Sequence, residues 1–177
     1  MLRNIAVIGA GVSGLTAGYA LKKIGLEIEI FERSQSIDAF GAGITLSKNA
    51  TLLLQDLELM EVLSSKGYYP MGSFIRDFRK AKVIKSKKLD KNFIALDRRD
   101  LVSTLSNRFE ELGGSINFDS EITSIDPTTG EITISDHEKK TYDLILICDG
   151  IKSSLRELHF DNKKPKFTKY VAWRGMA

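Results

Sequence analysis

The chain has 177 residues, of which 42% are hydrophobic and 28% charged, and a formal net charge of +3 at pH 7. This length fits one domain, or one domain with fragments of a second, and the composition is that of a folded globular protein. One cysteine excludes an intrachain disulfide, and two histidines besides it leave no metal-ligand cluster. No apolar run approaches the roughly 20 residues that span a bilayer, so we expect a cytoplasmic protein without a transmembrane segment.

The first 33 residues alternate between strand and helix patterns. Residues 5–8 form a short apolar run that predicts a buried strand, and helical spacing follows up to Gly25. A second strand at residues 28–31 ends at the charged pair Glu32-Arg33. This order predicts two neighbouring parallel strands that are joined by a right-handed crossover.

The rest of the chain predicts further helices and strands. In order, we expect a loop at 34–47, a helix at 48–64, a β-hairpin at 73–85, a strand at 93–96, a helix from Asp97 to Gly113, strands at 116–118, 122–125, 132–134 and 144–148, a helix at 154–158 and a strand-like segment at 170–173. The run at 144–148 is apolar without alternation, which is typical of a strand buried on both faces.

The predicted hairpin carries the densest charge run, with six bases and no acid between Arg79 and Lys88. A nucleic-acid patch and a solvated hairpin tip are the two interpretations. We favour the solvated tip, because no aromatic stacking platform or DNA-binding motif accompanies the bases. The sequence therefore predicts no nucleic-acid partner.

The strongest motif is Gly9-Ala-Gly11-Val-Ser-Gly14, between the first strand and its helix. In a dinucleotide-binding turn the first glycine makes the tight turn, the second lets the backbone approach a pyrophosphate, and the third lets the helix pack closely on the strand. The helix N-terminus then presents free N–H groups to the phosphates. Glu32 can accept hydrogen bonds from a ribose 2′-hydroxyl, and an acid there disfavours the 2′-phosphate of NADP. The full context predicts a dinucleotide site rather than a purely structural turn.

This motif does not choose between NAD and FAD, because both contain adenosine diphosphate. Gly43, in the run Gly41-Ala-Gly43-Ile44, lies where the chain could approach a ligand that extends beyond the adenosine. Asp149 and Gly150 follow the apolar strand 144–148 at its carboxyl end, where open α/β sheets bind ligands. Asp149 could therefore bond a ribityl or phosphate-linked hydroxyl, and the alternative is an ordinary Asp-Gly turn.

Two arginines begin the helix that Asp97 is expected to cap. The apolar stripe of this helix projects back onto position 98, so Arg98 belongs on the inward face and Arg99 lies about 100° away. An inward arginine is costly unless it is paired. An anionic ligand and an internal salt bridge are the two partners we consider for Arg98.

Several segments together resemble the class A flavoprotein monooxygenases of the para-hydroxybenzoate and salicylate hydroxylase type. The segments are residues 8–17, 31–33, 41–44, 97–101, 143–156 and 170–175. The resemblance implies an α/β fold, with a Rossmann-type parallel sheet that contains the GxGxxG FAD-binding unit and part of an antiparallel substrate-side sheet. It implies an incomplete FAD-binding domain at 1–72 and 93–162, and partial substrate-domain strands at 73–92 and 163–177.

The resemblance also implies roles for individual residues. The adenosine half of FAD would be held by Gly9, Gly11, Gly14 and Glu32, with Arg33 near the adenine or ribose. Arg98 would reach the pyrophosphate and the flavin side. FAD would also be contacted by Gly43, Asp149 and Gly150, and the last two lie in a segment that this family also uses to engage NAD(P)H. The loop after Gly150 would be supported by Ser153 and Arg156.

The implied function is that of a FAD-dependent monooxygenase. NADPH or NADH would reduce the FAD, and one oxygen atom of O₂ would then be transferred to a small aromatic substrate through a flavin hydroperoxide. Family members carry a second flavin motif well beyond positions 170–175, and these 177 residues lack it, so we expect a truncated chain. The alternative function is that of a non-catalytic FAD-binding or nucleotide-binding fragment, or of half of a split flavoprotein that needs a partner chain. A homo-oligomer and a missing C-terminal half are the two partners we consider. A two-dinucleotide reductase or amine oxidase is disfavoured by segments 97–98 and 143–156.

Overall fold

A computed structural model describes residues 3–37, 43–135, 137–160 and 163–172. Position 41 of the glycine run and positions 173–175 of the last family segment lie outside these ranges. Within the described ranges, no helix is long and apolar enough to cross a membrane. The chain divides into two compact units, one drawn from 1–39 and 105–173 and the other from 40–104 and 174–177.

Eleven strands and five helices make up the described part of the chain. They are, in order, β1 (Asn4–Ile8), α1 (Val12–Lys23), β2 (Glu27–Phe31), β3 (Gly43–Leu46), α2 (Lys48–Asp56), α3 (Met60–Lys66), β4 (Gly72–Arg76), β5 (Val83–Lys88), β6 (Ile94–Asp97), α4 (Arg98–Glu111), β7 (Ser115–Asn117), β8 (Ile122–Asp126), β9 (Glu131–Ile134), β10 (Lys139–Thr141), β11 (Leu144–Ile147) and α5 (Ser154–His159).

The first unit is built on a four-stranded sheet with the order β11-β1-β2-β7, in which every pair is parallel. Ile5, Ala6 and Val7 of the central strand β1 are fully buried. Because side chains of a strand alternate between its faces, a strand with three consecutive buried residues is covered on both faces. This sheet confirms the predicted α/β fold with a Rossmann-type parallel arrangement.

A three-stranded antiparallel sheet, in the order β10-β9-β8, covers one face of the parallel sheet. The two sheets share a buried apolar cluster in which Phe31 and Tyr142 meet edge to face, with ring centroids 6.0 Å apart. Lys140 lies above the same phenylalanine, with its Nζ 5.6 Å from the ring centroid, and pairs with Glu29 at 3.2 Å. The cluster fixes the end of β2 and thereby the residue that follows it.

The second unit contains two small antiparallel pairs, β3 with β6 and β4 with β5. Helices α2 and α3 lie against the first pair, where the Thr51 hydroxyl donates to the Asn92 carbonyl at 3.2 Å. A bridge between Tyr68 and Ala95 extends the same pair. The β4–β5 hairpin is exposed along almost its whole length.

Two predictions in the second unit were wrong. The predicted loop at 34–47 contains a strand, β3, because its residues pair with β6 about 50 positions later, and no local pattern announces such a partner. The predicted single helix at 48–64 is two helices, broken between Asp56 and Met60. Glu58 adopts a left-handed φ of 61°, which an α-helix cannot contain.

Three predictions in the first unit also need correction. Strand β10 was not predicted, because it is short and polar and is stabilised by its pairing with β9. Residues 170–172 form no strand. The apolar strand β11 is half-exposed rather than buried on both faces, since it lies at the edge of the sheet.

Candidate functional site

The carboxyl ends of β1, β2 and β11 meet at one edge of the parallel sheet. Gly9, Glu32 and Cys148-Asp149 follow these three strands directly. The Gly9 N–H donates to the Phe31 carbonyl at 2.7 Å, and the Cys148 N–H donates to the Ile8 carbonyl at 2.8 Å. Parallel pairing therefore brings together residues that are more than a hundred positions apart in the sequence.

Gly9 and Gly14 are required by the close approach of backbone segments at this edge. Gly9 has a φ of +103°, and a Cβ there would lie 2.7 Å from the Cys148 carbonyl oxygen. A Cβ at Gly14 would lie 1.9 Å from the Gly9 carbonyl oxygen. The tight turn and the close helix–strand packing that the motif predicts are both present.

Gly11 differs from its two neighbours, because a Cβ at this position would meet no atom within 4 Å. It is the N-cap of α1 and has an extended backbone with a φ of −77°. No side chain from the described ranges caps this helix, and its first turn contains no acid. The first intrahelical bond is from the Leu15 N–H to the Gly11 carbonyl, so the N–H groups before it have no intrahelical partner and form the positive end of the helix dipole.

Glu32 anchors the glycine-rich turn. One carboxylate oxygen accepts from the Ala10 N–H at 2.8 Å, and the other accepts from the Ser34 N–H at 2.9 Å. A carboxylate has about four acceptor positions, so these two bonds leave capacity for a ligand hydroxyl. The sequence predicts a ribose contact for Glu32 but not its bond to the glycine-rich turn. The neighbouring parallel strands β1 and β2 end side by side, and this could have indicated the bond. Arg33 is exposed beside it.

A cleft of about 630 Å³ lies on the β11 side of this edge. Its lining comes from α1, β11, the loop after β11 and α5, and consists of Ser13, Ala17, Ile145, Leu146, Ile147, Cys148, Asp149, Gly150, Ser153, Arg156 and Phe160. The Asp149 carboxylate makes no hydrogen bond or ion pair with any residue of the described ranges. Burial raises the pKa of the Cys148 thiol and the adjacent Asp149 carboxylate raises it further, so the thiol is protonated at neutral pH.

The loop after Asp149 is held by its own hydrogen bonds. Gly150 has a φ of +87°, and a Cβ there would meet nothing within 4 Å, so only its backbone conformation requires glycine. The buried Ser153 hydroxyl accepts from the Arg156 N–H at 3.0 Å and caps α5. The Arg156 guanidinium donates to the Ile151 carbonyl at 3.1 Å. The loop therefore has a defined shape without a ligand.

The remaining predicted site residues lie in the second unit. Gly43 pairs in register with Asp97, the residue before Arg98. The Asp97 carboxylate accepts from the Arg99 N–H at 2.8 Å, as an N-cap does, and also pairs with the Arg99 guanidinium. The bond with the Arg99 side chain lowers the pKa of Asp97 most, and the bond from the Arg99 N–H lowers it further.

Arg98 and Arg99 differ in exposure as the helical phase predicted. The Arg99 side chain is 66% exposed, whereas Arg98 is half-buried. Arg98 makes no hydrogen bond or ion pair within the part of the chain that the structure describes. An internal salt bridge for Arg98, one of the two alternatives, is therefore not found among these residues.

The structure thus divides the predicted site residues into two groups. The group at the carboxyl edge of the parallel sheet consists of Gly9, Gly11, Gly14, Glu32, Arg33, Asp149 and Gly150. The group in the second unit consists of Gly43 and Arg98.

Known proteins resemble this chain over nearly its whole length. Residues 3–172 match the protein-family model for pyridine nucleotide-disulphide oxidoreductases. The 6-hydroxynicotinate 3-monooxygenase of Bordetella bronchiseptica is 23% identical over 183 residues, which cover 98% of this chain and 47% of that protein. The FAD-dependent urate hydroxylase of Klebsiella pneumoniae is 27% identical over 179 residues, which cover 96% of this chain and 46% of that protein.

A solved structure is also similar to this chain. The tetrameric form of 2-methyl-3-hydroxypyridine-5-carboxylic acid oxygenase is 31% identical with a TM-score of 0.81, over 88% of this chain and 42% of that one. The chain therefore spans less than half the length of these relatives.

Proposed function

The chain belongs to the pyridine nucleotide-disulphide oxidoreductase family, and from this premise we propose that it is the FAD-binding part of a monooxygenase that hydroxylates a small aromatic substrate. The observation that carries the proposal is the shared carboxyl edge of β1, β2 and β11, where the glycine-rich turn, Glu32 and Asp149 lie together. The relatives named above, all oxygenases or hydroxylases by name, supply the reaction class.

The geometry of this edge fits FAD. The open space over Gly11 and the uncapped N–H groups of α1 suit a pyrophosphate. The acceptor positions that Glu32 retains suit a ribose diol, with Arg33 beside it near the adenine. Asp149 and the backbone at Gly150 are proposed to contact the ribityl side.

Two residues of the second unit, Gly43 and Arg98, are also proposed to bind the cofactor. Arg98 is half-buried and has no partner in the described ranges, which suits an arginine that pairs with a phosphate when the cofactor binds. Gly43 starts the strand that pairs with Asp97, so these two residues would act from one place.

When bound, FAD would accept a hydride from NADH or NADPH and activate O₂ for transfer of one oxygen atom to an electron-rich ring. The protein's own part is to bind and orient the cofactor. Glu32 would select an unphosphorylated ribose, because its carboxylate repels a 2′-phosphate. The buried cluster behind Phe31 would keep Glu32 in place.

We further propose the domain division 1–72 with 93–162 for the FAD-binding part and 73–92 with 163–177 for the substrate side. A cytoplasmic location and a homo-oligomer are also proposed. The tetrameric form of the pyridine-ring oxygenase supports the homo-oligomer, and the exposed β4–β5 hairpin suits a substrate-side surface.

The family description suggests disulfide reduction as a second function. Reduction of a substrate disulfide through the protein's own thiols needs a dithiol pair. The 177 residues contain a single cysteine, Cys148, which is half-buried and has a raised pKa, the opposite of a reactive thiolate. Hydroxylation is therefore the better supported function.

The test is to supply the full-length monooxygenase that contains this FAD-binding part with FAD, NADH or NADPH and ¹⁸O₂, together with a panel of hydroxylated aromatic and pyridine carboxylic acids. We expect a product that carries one oxygen atom from O₂, detected by mass spectrometry. Electron transfer from the nicotinamide to a disulfide substrate, without any oxygenated product, would instead support the reductase.

A further inference from the structure

The β4–β5 hairpin concentrates the positive charge of the chain. Residues 72–91 contain eight Lys or Arg and two Asp, which gives them a net charge of +6. The rest of the chain contains 18 Lys or Arg and 21 Asp or Glu, a net charge of −3. The small overall charge of +3 therefore combines a strongly basic hairpin with an acidic remainder. Bases that are clustered in this way create a local positive potential.

The lysines of the hairpin have no role inside the fold. They are exposed and have no ion-pair partner among the residues that the structure describes; they are Lys80, Lys82, Lys85, Lys87 and Lys88. Lys85 and Lys87 lie two positions apart on β5, so both project from one face of the hairpin. Their cross-strand neighbours, Ile75 and Ser73, carry no charge. These charges are therefore available to a partner outside the hairpin.

The turn between β4 and β5 has a defined shape. The Asp77 carboxylate accepts from the N–H groups of Arg79 and Lys80, at 3.0 and 2.8 Å. The Asp77 N–H donates to the Lys82 carbonyl at 2.8 Å. The acid of the turn thus bonds to the backbone and does not neutralise a lysine. Because the backbone is fixed before any partner binds, less conformational entropy is lost on binding.

Apolar side chains lie among the bases at this end of the hairpin. Phe78, in the turn, is 88% exposed, and Ile84, near the start of β5, is 68% exposed. A shift of register leaves Ile84 without a cross-strand partner. The Arg79 guanidinium carbon lies 5.3 Å from the centroid of the Phe78 ring. Large apolar side chains next to Lys and Arg are typical of segments that bind at the boundary between lipid headgroups and acyl chains.

We propose that the end of the β4–β5 hairpin binds the surface of a membrane that contains anionic lipids, with Phe78 and Ile84 in the headgroup region. Charge complementarity argues for an anionic surface, because each base near such a surface increases the affinity about fivefold. The two apolar side chains favour lipid over nucleic acid, since a phosphodiester backbone offers them no apolar contact. In addition, Arg79 covers one face of the Phe78 ring, on which a base would stack. This surface goes beyond the proposed reaction.

The first test is sedimentation of the full-length protein that contains this chain together with lipid vesicles. Vesicles of phosphatidylcholine with about a quarter phosphatidylserine are compared with vesicles of phosphatidylcholine alone. We expect at least about tenfold tighter binding to the anionic vesicles. This binding should weaken as the salt concentration rises from about 0.05 to about 0.5 M, because salt screens exposed charges. Equal binding to both kinds of vesicle, or binding to neither, would overturn the proposal.

A matched pair of charge reversals locates the binding surface. Lys85→Glu combined with Lys87→Glu should weaken binding to the anionic vesicles by at least about tenfold. Lys164→Glu combined with Lys166→Glu changes the net charge equally at two other exposed positions, and should weaken binding less than about threefold. Equal losses in the two double variants would show that net charge alone decides binding, and would contradict the assignment to the hairpin.

A tryptophan in the turn reports whether the hairpin enters the lipid. Phe78→Trp keeps an exposed aromatic ring at this position. We expect its fluorescence to shift to shorter wavelength on addition of anionic vesicles, by more than the fluorescence of the natural protein does. The absence of any additional shift would rule out insertion of the turn.

Two other partners would also contradict the proposal. Tighter binding to duplex DNA than to the anionic vesicles, at the same ionic strength, would assign the hairpin to nucleic acid. A salt-sensitive dimer that is lost in the Lys85→Glu, Lys87→Glu variant would assign it to a second copy of the protein. Analytical ultracentrifugation with and without DNA measures both, and we expect neither complex to compete with the vesicles.

Discussion

At the scale of single residues, the three glycines of the turn have different reasons to be glycine. A Cβ at Gly9 or Gly14 collides with backbone, whereas a Cβ at Gly11 points into open space. Gly9 and Gly14 are therefore required by the fold, whereas the space over Gly11 would admit a ligand. A sequence motif alone cannot make this distinction, because it gives the same letter at all three positions.

We predict opposite effects for alanine at two of these positions. Gly14→Ala should lower the free energy of unfolding by about 3 kcal/mol or more, because its Cβ would lie 1.9 Å from the Gly9 carbonyl oxygen. Gly11→Ala should lower it by no more than about 1 kcal/mol, because alanine is a poorer N-cap, yet weaken FAD binding about tenfold. Urea unfolding and flavin fluorescence titration of both variants check this. Equal loss of stability in the two variants would refute the assignment.

Glu32 has a structural role and is also proposed to bind a ligand. Glu32→Gln leaves one oxygen for two backbone N–H groups, at Ala10 and Ser34, so it should destabilise the fold by about 1–3 kcal/mol. The matched control is Glu27→Gln at the start of β2, whose 76% exposed carboxylate pairs with Lys22 and should contribute less than about 1 kcal/mol. Thermal unfolding of the two variants measures the difference, and identical melting temperatures would contradict the anchoring role.

At the scale of elements, the short helix α5 depends on its cap. Ser153 is buried and accepts from the Arg156 N–H, while its neighbour Ser154 is exposed. Ser153→Ala should cost about 1 kcal/mol of stability, and Ser154→Ala should cost less than about 0.5 kcal/mol. Chemical denaturation of both variants provides the comparison. A larger cost at Ser154 would show that the cap is not made as described.

The stability of the fold should depend on pH through Asp143, at the start of the parallel β1–β11 pair. The Asp143 carboxylate accepts from the N–H groups of Asn4 and Arg3, at 3.0 and 2.8 Å, and these bonds lower its pKa in the folded state. A lowered folded-state pKa stabilises the fold above the unfolded value of about 3.9, and this stabilisation is lost as the pH falls through the folded value.

Asp143→Asn should therefore be less stable than the natural protein at pH 7, and the difference should shrink below about pH 4. Urea unfolding of both proteins at several pH values between these limits measures it. A difference that is constant across the range would show that the charge of Asp143 does not matter.

The elements that sequence predicts well are those whose signal is local. The turn at Gly9, helix α1 and the Asp97 cap of α4 follow from glycine, spacing and capping patterns within a few residues of each site. Strand β3 was missed because its partner is distant, and the helix break at Glu58 because a left-handed glutamate has no sequence signal. The exposure of β11 could not be predicted, since an apolar run does not tell which strands lie beside it.

At the scale of the whole molecule, the site residues belong to two units of one chain. The first unit contains the glycine-rich turn, Glu32 and Asp149, and the second contains Gly43 and Arg98. Sequence order alone separates Gly43 from Arg98, and only the β3–β6 pairing brings them together. The family resemblance implies that both residues contact the cofactor, but it does not pair them with each other.

The most direct prediction concerns the first unit. Because it contains the glycine-rich turn and Glu32, adenosine diphosphate alone should bind to it. The decisive measurement is a calorimetric titration of the desalted, folded chain with FAD and, separately, with ADP. We expect saturable binding of both ligands at one competing site, and weaker binding of both by Gly11→Ala. A folded chain that binds neither ligand at concentrations up to about 1 mM would contradict the dinucleotide site.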